Sequence, residues 1–343
     1  MDTAKTPESE IPEPEIHVTA GLSTAQLDTA QAVLRAAAAA DGREAVSEAG
    51  RLRLRVDEPR EGVRHLVAGT VEAPAGYGQL ELQKESATAE LAVHPDHRGH
   101  GLGRALVGAV LAEAGDDRTV DFWAHGGHPA ARRLAEAYGA ELVRELRQMR
   151  RTGPAPAEVS LPEGVTLRTF RPGVDDEAWL RLNALAFAHH PEQGSWTARD
   201  LTDRIAEPWF DPAGFFLAVR GAGTGGSGTD SAGTGGSGTG GSDTDGERLV
   251  GFHWTKVHPA TATEPELGEV YVVGVDPAEQ GNGLGKALTA AGLRHLAADR
   301  GLATVLLYVD ADNAAAVRVY ERVGFTVHEV DLMYRVTEGR RAR

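Results

Sequence analysis

The 343-residue chain contains no cysteine. That excludes disulfides, thiolate zinc ligation and a cysteine nucleophile, so any covalent acyl intermediate would have to form on another residue. No apolar run approaches the length of a membrane-spanning helix, and the opening residues, MDTAKTPESEIPEPE, lack the apolar stretch of a secretory leader. A cytoplasmic location without a membrane partner is expected. Positive charge is scarce too: 35 Lys and Arg against 50 Asp and Glu give a net charge of −15. With a pI of about 5.3, the balance argues against nucleic-acid binding and leaves room only for a local basic funnel around a phosphorylated ligand. The hydrophobic content of 41% suits ordinary cores, and the length allows two domains.

What is present is organised around Glu269 to Leu288, EVYVVGVDPAEQGNGLGKAL. Val270 to Val275 reads as a strand, Asp276 and Pro277 end it, a glycine loop follows, and from Lys286 the apolar spacing turns helical. Such a loop leaves backbone N–H groups unpaired at the positive end of a helix, where a phosphate or pyrophosphate fits. A Walker A loop fails, because Gln280 and Ala287 stand where a glycine and a Ser or Thr are needed, and a dinucleotide fingerprint has a different glycine step. Downstream come a strand, Ala303 to Val309, then Asp310, Asp312 and Asn313 as caps for a helix from Ala314 to Val323, and Gly324-Phe325 as its stop.

The segment QGNGLG resembles the pyrophosphate loop of the GNAT acetyltransferase superfamily, and NAAAVRVYERVGF resembles its N-x-x-A-x-x-x-Y-x-x-x-G-F segment. The pattern occurs twice. Arg98-Gly-His-Gly-Leu-Gly103, after Glu90 to Val93 and before an apolar helix from Arg104 to Ala114, repeats the glycine loop. Counting back from Pro95 and Pro277 puts Ala87 opposite Glu269; Gly139 and Gly324 put Ala135 opposite Tyr320, His128 opposite Asn313 and Trp123 opposite Tyr308. The first copy keeps the loop and lacks the carboxylate and the phenol.

The expected architecture is two tandem GNAT domains of α/β class, each a mixed, mostly antiparallel sheet flanked by helices. Residues 1–16 read as disordered, 17–150 as a non-catalytic first domain, 151–163 as a linker and 164–337 as the catalytic domain. A Gly/Ser/Thr tract at 221–247 reads as a flexible loop between strands Phe215 to Arg220 and Leu249 to Thr255. Further strands are read at Leu52 to Val56, Arg64 to Val71, Gln79 to Leu82 and Val165 to Phe170, and helices at Ser23 to Ala40, His128 to Tyr138 and Asp176 to Ala188.

The resemblance implies transfer of an acetyl group from the thioester of acetyl-CoA to an amine. That chemistry calls for a proton acceptor, a donor to the leaving thiolate and a donor to the thioester oxygen. Glu269 is placed as base and Tyr320 as acid; their alternatives are a solvated strand-end glutamate and a core tyrosine. Cofactor contacts are implied for Val273, Gly274 and Val275, for Gln280, Gly281, Asn282, Gly283, Leu284, Gly285 and Lys286, and for Tyr308, Asn313, Ala314, Ala315, Ala316, Val317 and Arg318. In the first copy they are Leu91, Ala92, Val93, Gly99, His100, Gly101, Leu102, Gly103 and Arg104.

HPEQGSWT, FHWTKVHP, LGEVYVVGVDP, FWAHGGHPA and ELRQMRR further resemble the tandem mycothiol synthase family, which acetylates the cysteinyl amine of Cys-GlcN-inositol. Carried over by position, Glu48, Glu192, Lys256 and Glu269 would contact this small pseudo-disaccharide thiol. Another amine, such as an aminoglycoside or a protein N-terminus, and a non-catalytic acyl-CoA-binding role are the alternatives. His253 and His258 share one strand, but with no carboxylate or third histidine at ligand spacing no metal is expected. A tandem chain forms within itself the pairing that single-domain relatives form between subunits, so a monomer is expected.

Overall fold

The computed structural model describes residues 15–54, 59–157, 160–190, 192–221, 247–261 and 264–337. Nearly all of the expected disordered terminus, and residues 222–246 of the glycine-rich loop, lie outside the described residues. The fold comprises two compact units. The first is built on the chain up to Arg147, with Asp310–Asp312 and the segment from Glu329; the second on Gln148–Val309 and Asn313–His328.

In the first unit, strands β1 (Ile16–Thr19), β2 (Val63–Gly69), β3 (Pro74–Leu82) and β4 (Ser86–Val93) pair antiparallel in chain order, and β5 (Thr119–Ala124) lies parallel to β4. The C-terminal strand completes this sheet: its residues Leu332–Val336 pair antiparallel with β5. Helix α1 (Thr24–Asp41) starts with a reciprocal cap between Ser23 and Gln26 and ends at Gly42, whose φ of 71° only glycine adopts readily. α1 buries Val33 and Ala37 against Val67 and Tyr77 on one sheet face. On the other face, α3 (Leu102–Ala114) buries Leu106 and Val110 against Leu66 and Leu80. The alternation of Leu66 and Val67 between the two cores is the period-two signature of a strand covered on both sides.

Two expectations are corrected here. Ile16 is ordered as the first residue of β1, paired with Ala68; a four-residue strand carries too little pattern to be read before its partner is known. Leu52 and Arg53 are helical rather than extended: they close α2 (Glu48–Arg53), which Ser47 caps through the N–H of Gly50. That cap and the burial of Leu52 outweigh the strand-like alternation. Helix α4 (Pro129–Ala137) follows β5.

In the second unit, β7 (Val165–Thr169), β8 (Phe215–Arg220), β9 (Arg248–His258) and β10 (Leu267–Val275) are antiparallel, and β11 (Thr304–Asp310) is parallel to β10. Residues 148–152 of β6 (Glu141–Thr152) lie beyond β11. One face carries an aromatic core of Trp179, Phe215, Phe252 and Trp254 under α5 (Asp176–Ala186) and α6 (Ala198–Ile205). On the other, α7 (Leu284–Arg294) and α8 (Ala314–Arg322) cover Val250, Val305 and Leu307. Between Val270 and Val272 the β9–β10 register shifts, so Tyr271 is an extra residue in β10. The β3–β4 ladder has no such shift, and counted along the ladders Thr88, rather than Ala87, occupies the place of Glu269.

Candidate active site

The loop after β10 has the shape its glycines predict. Gly281 (φ 84°) and Gly283 (φ 92°) sit in the left-handed region, and a Cβ added at either would meet nothing within 4 Å. The backbone there is therefore open to an approaching ligand and closed to other residue types by conformation rather than by space. Gly283 is the N-cap of α7 and offers no side chain to the helix amides. The Asn282 carboxamide oxygen accepts from the Leu284 N–H at 3.0 Å, and Leu284 is buried as the loop's anchor. Gln280, Asn282 and Lys286 are exposed. Arg220 and Arg248 bind Glu279, whose carboxylate also accepts from the Asn282 side-chain amide at 3.1 Å.

The first unit repeats these turns: Gly99 has φ 82°, and Gly101, with φ 94°, caps α3 without a side-chain bond. The charge differs. Arg98 is held by both oxygens of Asp41, at 2.7 and 2.8 Å, and by the Val93 carbonyl, and this pairing keeps Asp41 below the usual carboxylate range. Leu91, Ala92 and Val93 lead into the loop on β4, Leu102 is buried, and Gly103 and Arg104 form the first turn of α3.

Glu269 lies on β10 directly across from Lys256 on β9. Both are buried, each 6% exposed. His258 Nε2 is 2.6 Å from Glu269 Oε2. The Lys256 ammonium stands 4.4 Å from the Trp209 ring centre and 5.0 Å from that of Tyr271, a cationic contact with two ring faces. Tyr271 in turn accepts from Arg204 Nε at 2.8 Å, and the Arg204 guanidinium lies 3.8 Å over Trp196. The β9–β10 pair therefore presents a carboxylate, an ammonium and an imidazole, backed by an aromatic wall.

Tyr320 on α8 packs beside Phe325, ring centres 5.9 Å apart, in the cluster that holds Val270 and Leu307. Burial pushes its phenol up to about 12, so it is a proton donor at neutral pH. Asn313 caps α8 through the N–H of Ala316 at 3.1 Å. Val317 is buried and Arg318 exposed. Tyr308 is 43% exposed and accepts from Gln148 Nε2 at 2.9 Å. His128 caps α4 as Asn313 caps α8, and Ala135 occupies the place of Tyr320.

Of the four residues assigned to the acceptor, Glu269 and Lys256 are neighbours, and Glu192 opens the turn Gln193–Ser195 in the same unit. That turn is fixed by buried Asn183, which exchanges bonds of 2.7 and 3.0 Å with Gln193. Glu48 is the first residue of α2 in the first unit. Its neighbour Ser47 donates through N–H and hydroxyl to buried Glu90, which also receives Gln79 and His125.

Sequence reasoning missed His258 as a partner of Glu269, and Tyr271 and Arg204 as the support of Lys256. His253 and His258 leave β9 on opposite faces. His253 is buried toward α7, with Nδ1 2.7 Å from the Leu288 carbonyl. Among the described residues, no group of three or more His, Cys, Asp or Glu is disposed to hold a metal ion, and no helix is long and apolar enough to cross a membrane.

Residues 232–325 match the acetyltransferase (GNAT) family and residues 61–151 the acetyltransferase (GNAT) domain. The mycothiol acetyltransferase of Streptomyces scabiei is 59% identical over 318 residues, covering 92% of each chain. That of Streptomyces griseus is 56% identical over 336 residues, covering 96% of this chain and 99% of the relative. Among solved structures, a tandem GNAT protein from the clavulanic acid biosynthesis pathway superposes with a TM-score of 0.64 at 18% identity, over 95% of this chain and 99% of that one. That likeness concerns the fold alone. The two GNAT units, and relatives more than half identical along nearly the whole chain, make it an acetyltransferase belonging to the mycothiol acetyltransferase family.

Proposed function

We propose that this enzyme moves the acetyl group of acetyl-CoA directly to the cysteinyl amine of desacetylmycothiol, Cys-GlcN-inositol, and so completes mycothiol. The observation that carries the reading is buried Glu269, set beside Lys256 and His258 on the strand that runs into the open-backbone loop. The relatives' name, mycothiol acetyltransferase, supports acetyl transfer in mycothiol formation.

Acetyl-CoA supplies an activated acyl group on sulfur. The amides of the loop Gly281–Gly285, apart from the Leu284 N–H that Asn282 occupies, hold its pyrophosphate, and the backbone N–H groups of Val273 to Val275 bind the pantetheine arm and the thioester oxygen. Glu269 takes a proton from the cysteinyl ammonium, directly or through water, and frees the lone pair. As the new C–N bond forms and the C–S bond breaks, the Tyr320 hydroxyl protonates the departing thiolate. The ammonium gives up two protons, one through Glu269 to water and one that restores the Tyr320 hydroxyl after it protonates the thiolate, so one proton is released per turnover. Glu48, Glu192 and Lys256 hold the hydroxyls and ammonium of the acceptor.

The first unit retains a cofactor loop and does no chemistry, because Thr88 and Ala135 stand where Glu269 and Tyr320 act. The enzyme works as a cytoplasmic monomer without a metal. A panel of amines with acetyl-CoA tests the reading: Cys-GlcN-inositol must be the preferred acceptor, and preference for an aminoglycoside or a peptide N-terminus would replace it.

A further inference from the structure

Glu269, assigned above as the base, is buried at 6% exposure, and an unpartnered carboxylate at that depth is costly. His258 meets it, with Nε2 2.6 Å from Oε2. At that distance the carboxylate oxygen accepts and Nε2 carries the proton, so Oε2 is occupied and Oε1 keeps its lone pairs. The two side chains differ in access: that of His258 is 33% exposed and that of Glu269 7%. The ring thus joins the buried base to solvent. Charges of both signs surround it. Lys256 stands two residues earlier on β9, and Glu264, in the turn after β9, interacts with His258, with Arg150 on β6 and with His328 on the C-terminal strand (Thr326–Val336).

We infer that His258 is the positioning residue of the acetyl-transfer base: its Nε2–H fixes Glu269 so that Oε1 alone receives the acceptor's proton. The inference rests on the reading of Glu269 as the base. In the step itself, an N–H bond of the substrate breaks and an O–H bond forms at Oε1, while the Nε2–H···Oε2 bond stays in place. The proton then leaves Oε1 to water.

The test compares the full-length wild type with H258A and H258Q, measuring kcat and KM for both substrates. In H258A, kcat falls about 10- to 100-fold, toward the lower end of the effects seen when general-base catalysis is impaired. Its KM for acetyl-CoA and its melting temperature stay put. In H258Q the amide N–H reaches the same oxygen, so kcat stays within about threefold of wild type, a loss of under 1 kcal/mol. Wild-type kcat in H258A, or an H258Q as slow as H258A, overturns the inference. A wild type inert toward Cys-GlcN-inositol but active on another amine refutes only the acceptor, and the same three proteins compared on that amine still decide the role of His258.

Discussion

Replacing His125 by Ala strands two carboxylates in the first unit. The ring lies between Glu90, 2.8 Å from Nε2, and Asp331, 3.1 Å from Nδ1. Burial alone would push Glu90 up, but the hydrogen bond and charge of His125, with the N–H of Ser47, hold it down at about 2. Burial alone would push His125 down, and the two carboxylates hold it up at about 10. At neutral pH the ring is therefore a cation between two anions. Removing one partner of such a buried pair costs roughly 3–5 kcal/mol, less whatever the stranded carboxylate recovers by taking up a proton. With about 3 kcal/mol lost, and roughly 2–4 °C per kcal/mol for a unit of this size, melting falls by about 6–12 °C. The assay is calorimetric melting of wild type, His125→Ala and His125→Ala/Glu90→Gln at several pH values. Stability from raised His125 is fully present below its unfolded value of 6.5 and is lost as pH climbs toward about 10. Stability from depressed Glu90 is present above 4.5 and is lost as pH falls toward about 2. The gap between wild type and His125→Ala is thus widest between these limits and closes in alkali, and adding Glu90→Gln recovers part of it. A gap under about 1 °C at pH 6, well below 1 kcal/mol, or one that widens in alkali, would refute the reasoning.

Glu269→Gln should lower kcat by about 100- to 10,000-fold with little change in melting, and a rate within a few-fold of wild type would remove its assignment as base. Tyr320→Phe keeps the ring against Phe325 and loses the hydroxyl, so kcat falls while the fold persists. Because burial holds the Tyr320 phenol at about 12, difference absorbance at 295 nm should show the same phenolate signal in wild type and Tyr320→Phe below pH 10. An extra tyrosine titrating near pH 10 in the wild type contradicts that burial. Gly283→Ala forces a Cβ into the left-handed region, costs about 1–2 kcal/mol and raises KM for acetyl-CoA more than KM for the amine; equal KM values for the variant and wild type would argue against the loop as pyrophosphate site.

The glycine loops and their helices were legible because the signal is local: Gly281, Gly283 and Asn313 act within one turn of chain, and the structure finds them as left-handed residues and a cap. The bulge at Tyr271 was not, since a bulge belongs to the pairing of two strands and leaves no mark on one. His258 and Glu269 meet only through the β9–β10 register, and sequence alone offered the histidine as a failed metal ligand instead of a partner to the base. Glu90, His125 and Asp331 are harder still. Their cluster depends on the C-terminal strand pairing with β5, which brings Asp331 to His125 across 206 residues of sequence, a contact that no spacing rule anticipates. Lys256 was found through resemblance, but its placement against Trp209 and Tyr271 needed the strand faces to be known.

The most direct measurement is the initial rate of CoA release when purified protein meets acetyl-CoA and Cys-GlcN-inositol at varied concentrations of both. Direct transfer from a ternary complex predicts one CoA per acetylated product and intersecting double-reciprocal lines. Parallel lines, CoA release without the amine, or no release with this acceptor would contradict it.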